Sequence, residues 1–299
     1  MKGLFAKGFF AFALGGAGFA SLPRPLRRFL TSVTSVAGLA MAIALLGVAA
    51  LGPPLVGTEG LLPALELDLA SPQRAGGLGR GENGVDVLTW LVYGARVSLL
   101  VAFASTFLST TVGLLVGAGA SFIGGKVDAV AMRVVDVLLA FPGILLAIYI
   151  ASVLPPSLFN VALALSATGW VGYARLARAQ VLEVRSREFV TAARALGASP
   201  ARVLLLHVVP NILGPVVVQA SFGLSTAILA EATLSFLGLG VPPGTPSWGA
   251  LLDQGVGNLF VAPHLTIFPG LCIAVAVLAF NLLGDGLRDV LDTRSVIKK

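Results

Sequence analysis

Few residues in this 299-residue chain could carry out chemistry. It has two histidines, His207 and His264, and one cysteine, Cys272. These are too few for a multi-histidine or thiolate metal centre, or for a disulfide within the chain. No Ser or Cys nucleophile in a recognisable motif accompanies His207, and neither G-x-S-x-G nor H-E-x-x-H occurs. Two glycine-bearing runs invite a phosphate-binding reading. Gly79-Arg80-Gly81-Glu82-Asn83-Gly84 fits G-x-G-x-x-G, but a dinucleotide turn needs a strand before it and a βαβ unit around it, and the flanking sequence suggests neither. In GASFIGGKV, Ala120 stands where a P-loop needs its first Gly, and Val127 replaces the metal-binding Ser or Thr. The sequence thus points to no catalytic residue, cofactor or metal. If ATP drives this protein, a different subunit hydrolyses it.

Two features remain. Glu231 stands within an apolar run, where a carboxylate is costly and serves either a pathway or gate, or an interhelical hydrogen bond. Both readings stay open. The second feature is the polar stretch SREFVTAARALGASPARVLLLHVVPN, Ser186 to Asn211. Phe189, Ala192, Ala193 and Leu196 fall at i, i+3, i+4 and i+7, which predicts one apolar stripe on a short helix over 187–197. Arg187, Glu188, Thr191 and Arg194 take the other faces. Ser186 is the expected N-cap, Gly197 the expected left-handed terminator, and Ser199-Pro200 the cap and first position of the next helix. A helix of about 10 residues is marginal alone, so the Phe189/Leu196 stripe needs a partner. Another protein, or the inner headgroups with the stripe down and arginines on phosphate, would serve.

The elements around these features are membrane spans. Hydrophobic residues make up 57% of the chain and charged ones 11%, against about 25% charged in a soluble domain; mean hydropathy is +0.94. Six segments approach the ~20 apolar residues that cross a bilayer: roughly 29–51, 97–123, 134–154, 158–173, 212–237 and 265–283. Seventeen of the twenty Lys and Arg residues lie on one side of the resulting topology, which the positive-inside rule makes cytoplasmic. Both termini and the 186–211 stretch are therefore expected inside, so the net charge of +6 sets topology and does not imply a nucleic-acid partner. Residues 1–28 read as a cytoplasmic or interfacial segment. The first span with its Gly-Pro-Pro end covers 29–54, an extracytoplasmic segment 55–95, five further helices 96–287, and a cytoplasmic tail 288–299. Within the outer segment, Asp86 to Gly94 resembles an interfacial amphipathic helix, with Trp90 and Tyr93 at headgroup level. Gly113, Gly117 and Ser121 are spaced for close helix packing. Pro142, Pro210, Pro215 and Pro269 can kink or break their helices.

Several blocks in order give the chain a resemblance to permease subunits of bacterial ABC importers, in the dipeptide/oligopeptide/nickel group and of the C type. They are DVLTWLVYGARVSLLV (86–101), GGKVDAVAMRVVDVLLAFPGILLA (124–147), GWVGYARLARAQVL (169–182), the 186–211 stretch, ILAEATLSFLGLGVPPGTPSWG (228–249) and FPGLCIAVAVLAFNLLGDGLRDVLD (268–292). The 186–211 stretch is similar to the family's cytoplasmic "EAA" loop. Ala192, Ala193, Gly197 and Pro210 match it, while Thr191 stands where the family has Glu and Glu188 lies about one turn earlier.

The resemblance implies an all-α membrane protein with the type I importer permease fold, in a bacterial inner or plasma membrane. Glu188, Phe189, Thr191, Ala192, Ala193, Arg194, Leu196 and Gly197 would form a helix docking on an ATPase. The implied partners are a homologous second permease, two ATPase subunits, an extracytoplasmic solute-binding protein and membrane lipid. Peptides, nickel complexes and other solutes all fit as cargo, with peptide favoured. Two other classes compete: a secondary transporter using Glu231 as a proton site, and a membrane scaffold without transport.

Overall fold

The computed structural model describes residues 24–291, so most of the N-terminal segment 1–28 and the last residues of the tail lie outside the described part. Among the described residues all regular structure is helical, apart from one isolated Arg80–Asp86 bridge. The helices of eight or more residues are α1 (Arg24–Thr31), α2 (Val33–Val56), α3 (Val87–Ile123), α4 (Gly125–Leu139), α5 (Gly143–Val153) and α6 (Leu158–Val184). They continue with α7 (Glu188–Ala195), α8 (Pro200–Phe236), α9 (Trp248–Gly257) and α10 (His264–Leu291).

Four of these, α2, α3, α8 and α10, are long and apolar enough to cross a membrane, and α4 with α5 makes a fifth if the bent pair is one span. The expected count of six is therefore not reproduced as six straight helices. The span expected over 134–154 bends by 84° between α4 and α5. Pro142 explains the break: it lacks an N–H, disfavours helical backbone at Phe141 before it, and is itself extended at ψ 113°. The span expected over 158–173 is the first part of the 27-residue α6, whose second half carries Arg175, Arg178 and Glu183.

Two further boundaries differ from expectation. The 86–94 stretch is not a separate interfacial helix but the first turns of α3, capped by Asp86, whose carboxylate accepts from the Thr89 N–H at 2.9 Å. Trp90 points inward, its indole N–H donating to the Ser247 carbonyl at 3.1 Å. The helix from Ser199-Pro200 runs without interruption into the expected fifth span. A five-residue π segment, Leu204–Val208, precedes Pro210. A proline inside an α-helix collides with the carbonyl four residues back, and a π turn widens the helix where that collision would occur.

The most extensive helix pairing is α3 on α6. Its closeness depends on Gly113 and Gly117. A Cβ at Gly113 would lie 2.6 Å from the Trp170 carbonyl oxygen, and one at Gly117 would lie 2.7 Å from the Ala174 Cα. Both distances are below any real Cβ contact, so the small-residue spacing holds two backbones in contact, as expected.

The outer segment folds over the ends of α3 and α10. The Gly79–Gly84 run is a turn that packs on protein: the His264 ring Nε2 is 3.1 Å from the Arg80 carbonyl, and Asn258 donates to Glu82 at 3.1 Å.

Candidate functional site

Helix α7 sits on an apolar cluster drawn from α3, α6 and α8. Elsewhere on α6, Arg178 donates twice to Asp128 of α4, at 2.7 and 2.8 Å. Arg185 reaches the Ser121 carbonyl at the end of α3, at 3.1 Å. Removing the Asp128 carboxylate leaves a part-buried guanidinium without its fork partner. Asp128→Ala should cost about 1–2 kcal/mol, between an exposed pair and a charged hydrogen bond. The purified protein's melting temperature should fall by about 2–4 °C. An unchanged melting temperature would show the pair to be structurally idle.

The start of α7 differs from expectation by one residue. Arg187 occupies the N-cap position with extended backbone. The Ser186 hydroxyl instead turns back and donates to the Glu183 carbonyl at 2.9 Å, satisfying the end of α6. The end of α7 is as expected. Gly197 is left-handed at φ +82°, its N–H donates to the Arg194 carbonyl at 3.0 Å, and the Ala198 N–H donates to the Ala193 carbonyl at 3.1 Å. That pair of bonds is the Schellman arrangement.

The faces of α7 divide differently from the single expected stripe. Val190, which is fully buried, and Ala193 turn inward onto a cluster containing Val181, Val184, Val203 and Ile212. Phe189, Ala192 and Leu196 face outward, with Leu196 89% exposed and Phe189 39%. Glu188, Thr191 and Arg194 are exposed as well, and the Arg194 guanidinium lies 5.3 Å from the Phe122 ring centroid. Val190 is absent from the expected set. Its signal is the i, i+3 pairing with Ala193, which competes with the Phe189/Ala192/Leu196 pattern. The result is a helix bolted down by one edge, with an apolar row on the other edge that is open at Leu196 and partly covered at Phe189.

Glu231 is fully buried in α8. The Ser235 hydroxyl donates to its Oε1 at 2.7 Å. Its Oε2 closes no hydrogen bond among the described residues, with the Ser98 hydroxyl of α3 alongside. The Ser98 oxygen in turn accepts from the Trp248 N–H at 3.4 Å. This places the carboxyl at the junction of α3, α8 and α9.

A cavity of ≈ 450 Å³ opens elsewhere, between α3, α5, α6 and α8, and Glu231 does not line it. Buried Ser105, Thr106, Ser109 and Tyr173 form its floor, while Gln219 and Thr226 sit at its exposed rim. No acidic, basic or histidine side chain lines it. Sequence reasoning missed this site because its hydroxyls come from positions spread between Ser105 and Thr233, with no local motif.

Comparison with known proteins adds an independent view. Residues 109–296 match the model of the family described as binding-protein-dependent transport system inner membrane component. The dipeptide transport system permease protein DppC of Haemophilus influenzae is 41% identical over 217 residues, covering 73% of this chain and 74% of that one. The oligopeptide transport system permease protein OppC of Bacillus subtilis is 38% identical over 223 residues, covering 75% and 73%. Among solved structures, a chain of the MetNI methionine ABC transporter in an inward-facing conformation superposes with a TM-score of 0.57 at 20% identity. That match covers 67% of this chain and 96% of the other.

Proposed function

The chain belongs to the family of binding-protein-dependent transport system inner membrane components, and from that premise we propose that it is one half of an ATP-driven peptide import pathway. The single observation that carries the coupling part of this reading is the exposed apolar row on α7, Phe189, Ala192 and Leu196. A row at i, i+3 and i+7 is the pattern by which a helix anchors in a groove of another protein. Glu188, Thr191 and Arg194 flank it, and Ala193 and Gly197 fix the helix to the chain's own core and end it. In this reading the partner is an ATPase subunit, and its closure on ATP pushes α7. Because α7 is fixed through Val190 and Ala193 to the feet of α3, α6 and α8, the push reaches the spans.

The remaining parts follow from charge and family. With seventeen of the twenty basic residues on one side, the described ends of the chain and α7 are cytoplasmic. The outer face then meets a solute-binding protein, a homologous second permease closes the pathway, and two ATPases supply the energy. In this reading Glu231, buried at the junction of α3, α8 and α9 and hydrogen-bonded to Ser235, has a structural role.

Reconstitution of the complete complex in proteoliposomes tests this reading. Uptake of radiolabelled tripeptide should require ATP inside and binding protein outside, and should survive dissipation of the proton gradient. Uptake that disappears with the proton gradient while ATP remains would instead support the proton-coupled class.

A further inference from the structure

Helix α8 is exposed on two sides, and the two differ in chemistry. One side carries the exposed Leu213 and Val217. The other carries Gln219, Thr226 and Thr233, each seven residues from the next, which is about two turns and so one line along the helix. Gln219 and Thr226 are exposed and Thr233 is half-buried. Val217 lies about 200° around the helix from Gln219, so those two side chains leave it in opposite directions.

The Leu213/Val217 side suits lipid; the polar line does not. Thr226 and Thr233 donate to the Phe222 and Leu229 carbonyls of their own helix, at 3.2 and 2.8 Å, which is how a hydroxyl satisfies itself in a membrane helix. Gln219 has no such partner. It stands near the middle of the 37-residue α8, and its carboxamide closes no hydrogen bond among the described residues. An unpaired amide facing hydrocarbon is costly. The space it faces is not packed, however: Gln219, Gly223, Thr226, Ala230 and Thr233 all border the cavity of ≈ 450 Å³.

We propose that the Gln219–Thr226–Thr233 line is a water-filled wall of the import pathway, and that the Gln219 carboxamide contacts the backbone amides of a passing peptide. The proposal rests on the reading of the chain as a peptide importer. A carboxamide offers the donor and the acceptor of a peptide bond, so it pairs with a cargo C=O or N–H alike. No acidic, basic or histidine side chain lines the cavity, so cargo charge is neither trapped nor repelled beside it. A partner helix packed along the same line would also satisfy Gln219, but it would fill the space that the cavity leaves open.

Two measurements on the complete complex in proteoliposomes test it. In a Cys272→Ala background, Gln219→Cys and Thr226→Cys should react with a charged methanethiosulfonate present on both faces of the membrane, whereas Val217→Cys should not. The mass of the permease chain reads the adduct. Protection of either Gln219→Cys or Thr226→Cys, or equal reaction at Val217→Cys, would overturn the water-filled wall; protection of both is the result expected if the second permease packs on the line. The contact is read from cargo charge. Gln219→Glu and Gln219→Lys should shift the ratio of Ala-Lys-Ala to Ala-Glu-Ala uptake about 5-fold in opposite directions, each disfavouring the peptide of its own charge. That factor is the worth of unit charges about 4 Å apart in water, and a merely destabilised permease would not show it. An unchanged ratio, a shift in one direction in both variants, or equal loss of both peptides would overturn the contact while leaving peptide import intact. Failure of the wild-type complex to import either peptide with ATP would overturn the underlying reading itself.

Discussion

Phe189→Asp and Leu196→Asp should each abolish ATPase docking and ATP-driven uptake while leaving the membrane part folded. Leu196 is 89% exposed and Phe189 39%, whereas neighbouring Val190 is fully buried. A buried anchor at a protein interface costs about 2–4 kcal/mol when lost, which is ~30- to ~1,000-fold in affinity for the ATPase. Co-purification of the ATPase and ATP-driven uptake should therefore both be lost, with the melting temperature of the isolated permease unchanged. Val190→Asp should behave differently and lower that melting temperature, because it puts a charge into the cluster that holds α7 down. Gly197→Asp combines two effects, a charge beside the row and a non-glycine residue at φ +82°, which costs roughly 1–2 kcal/mol of backbone strain. If Phe189→Asp and Leu196→Asp leave both association and uptake intact, α7 is not the coupling element.

The second large effect is expected at the α3–α6 seam. A methyl group at Gly117 has no room, since Ala174 Cα would be 2.7 Å away and is backbone that no rotamer change can move aside. Overpacking of this kind costs about 1–3 kcal/mol even where side chains can yield. Gly117→Leu should force the helices apart and prevent accumulation of folded protein, and Gly117→Ala should already lower the melting temperature. Gly119, two residues along the same helix, is the control, because nothing lies within 4 Å of a Cβ built there. Gly119→Ala should therefore be tolerated. Equal damage from Gly119→Ala and Gly117→Ala would mean that the close approach at Gly117 does not set the cost, since helix propensity alone favours alanine at both positions.

These contrasts also show what was legible in the sequence. Apolar length identifies four of the six expected spans as single long helices, and charge marks out the polar island, because both depend on composition within a window. Gly197 was legible because few residues other than glycine adopt its backbone angles. The 84° bend between α4 and α5 was legible only as Pro142, since a proline signals a break and not its angle. The face of α7 that turns inward was not legible. Two apolar patterns overlap there, and the choice between them is made by Val181, Val184, Val203 and Ile212, which lie outside the helix. Glu231 stands out as an intramembrane carboxylate, yet it lies beside Ser98 and Ser235, away from the cavity. The cavity itself depends on Tyr173, Thr106 and Gly223 meeting across three helices, a relation that no stretch of sequence contains.

Site-directed photocrosslinking from α7 tests the coupling role most directly. Cys272 is the chain's one cysteine, so Leu196→Cys in a Cys272→Ala background accepts a single maleimide-linked benzophenone. Phe260→Cys, at an exposed position between α9 and α10, serves as the reference at the other end of the spans. In membranes containing the whole complex, illumination should join the ATPase subunit to the probe at position 196 and not to the probe at 260. A probe at 196 that captures only lipid, or one at 260 that captures the ATPase, would contradict the assignment of α7 as the docking helix.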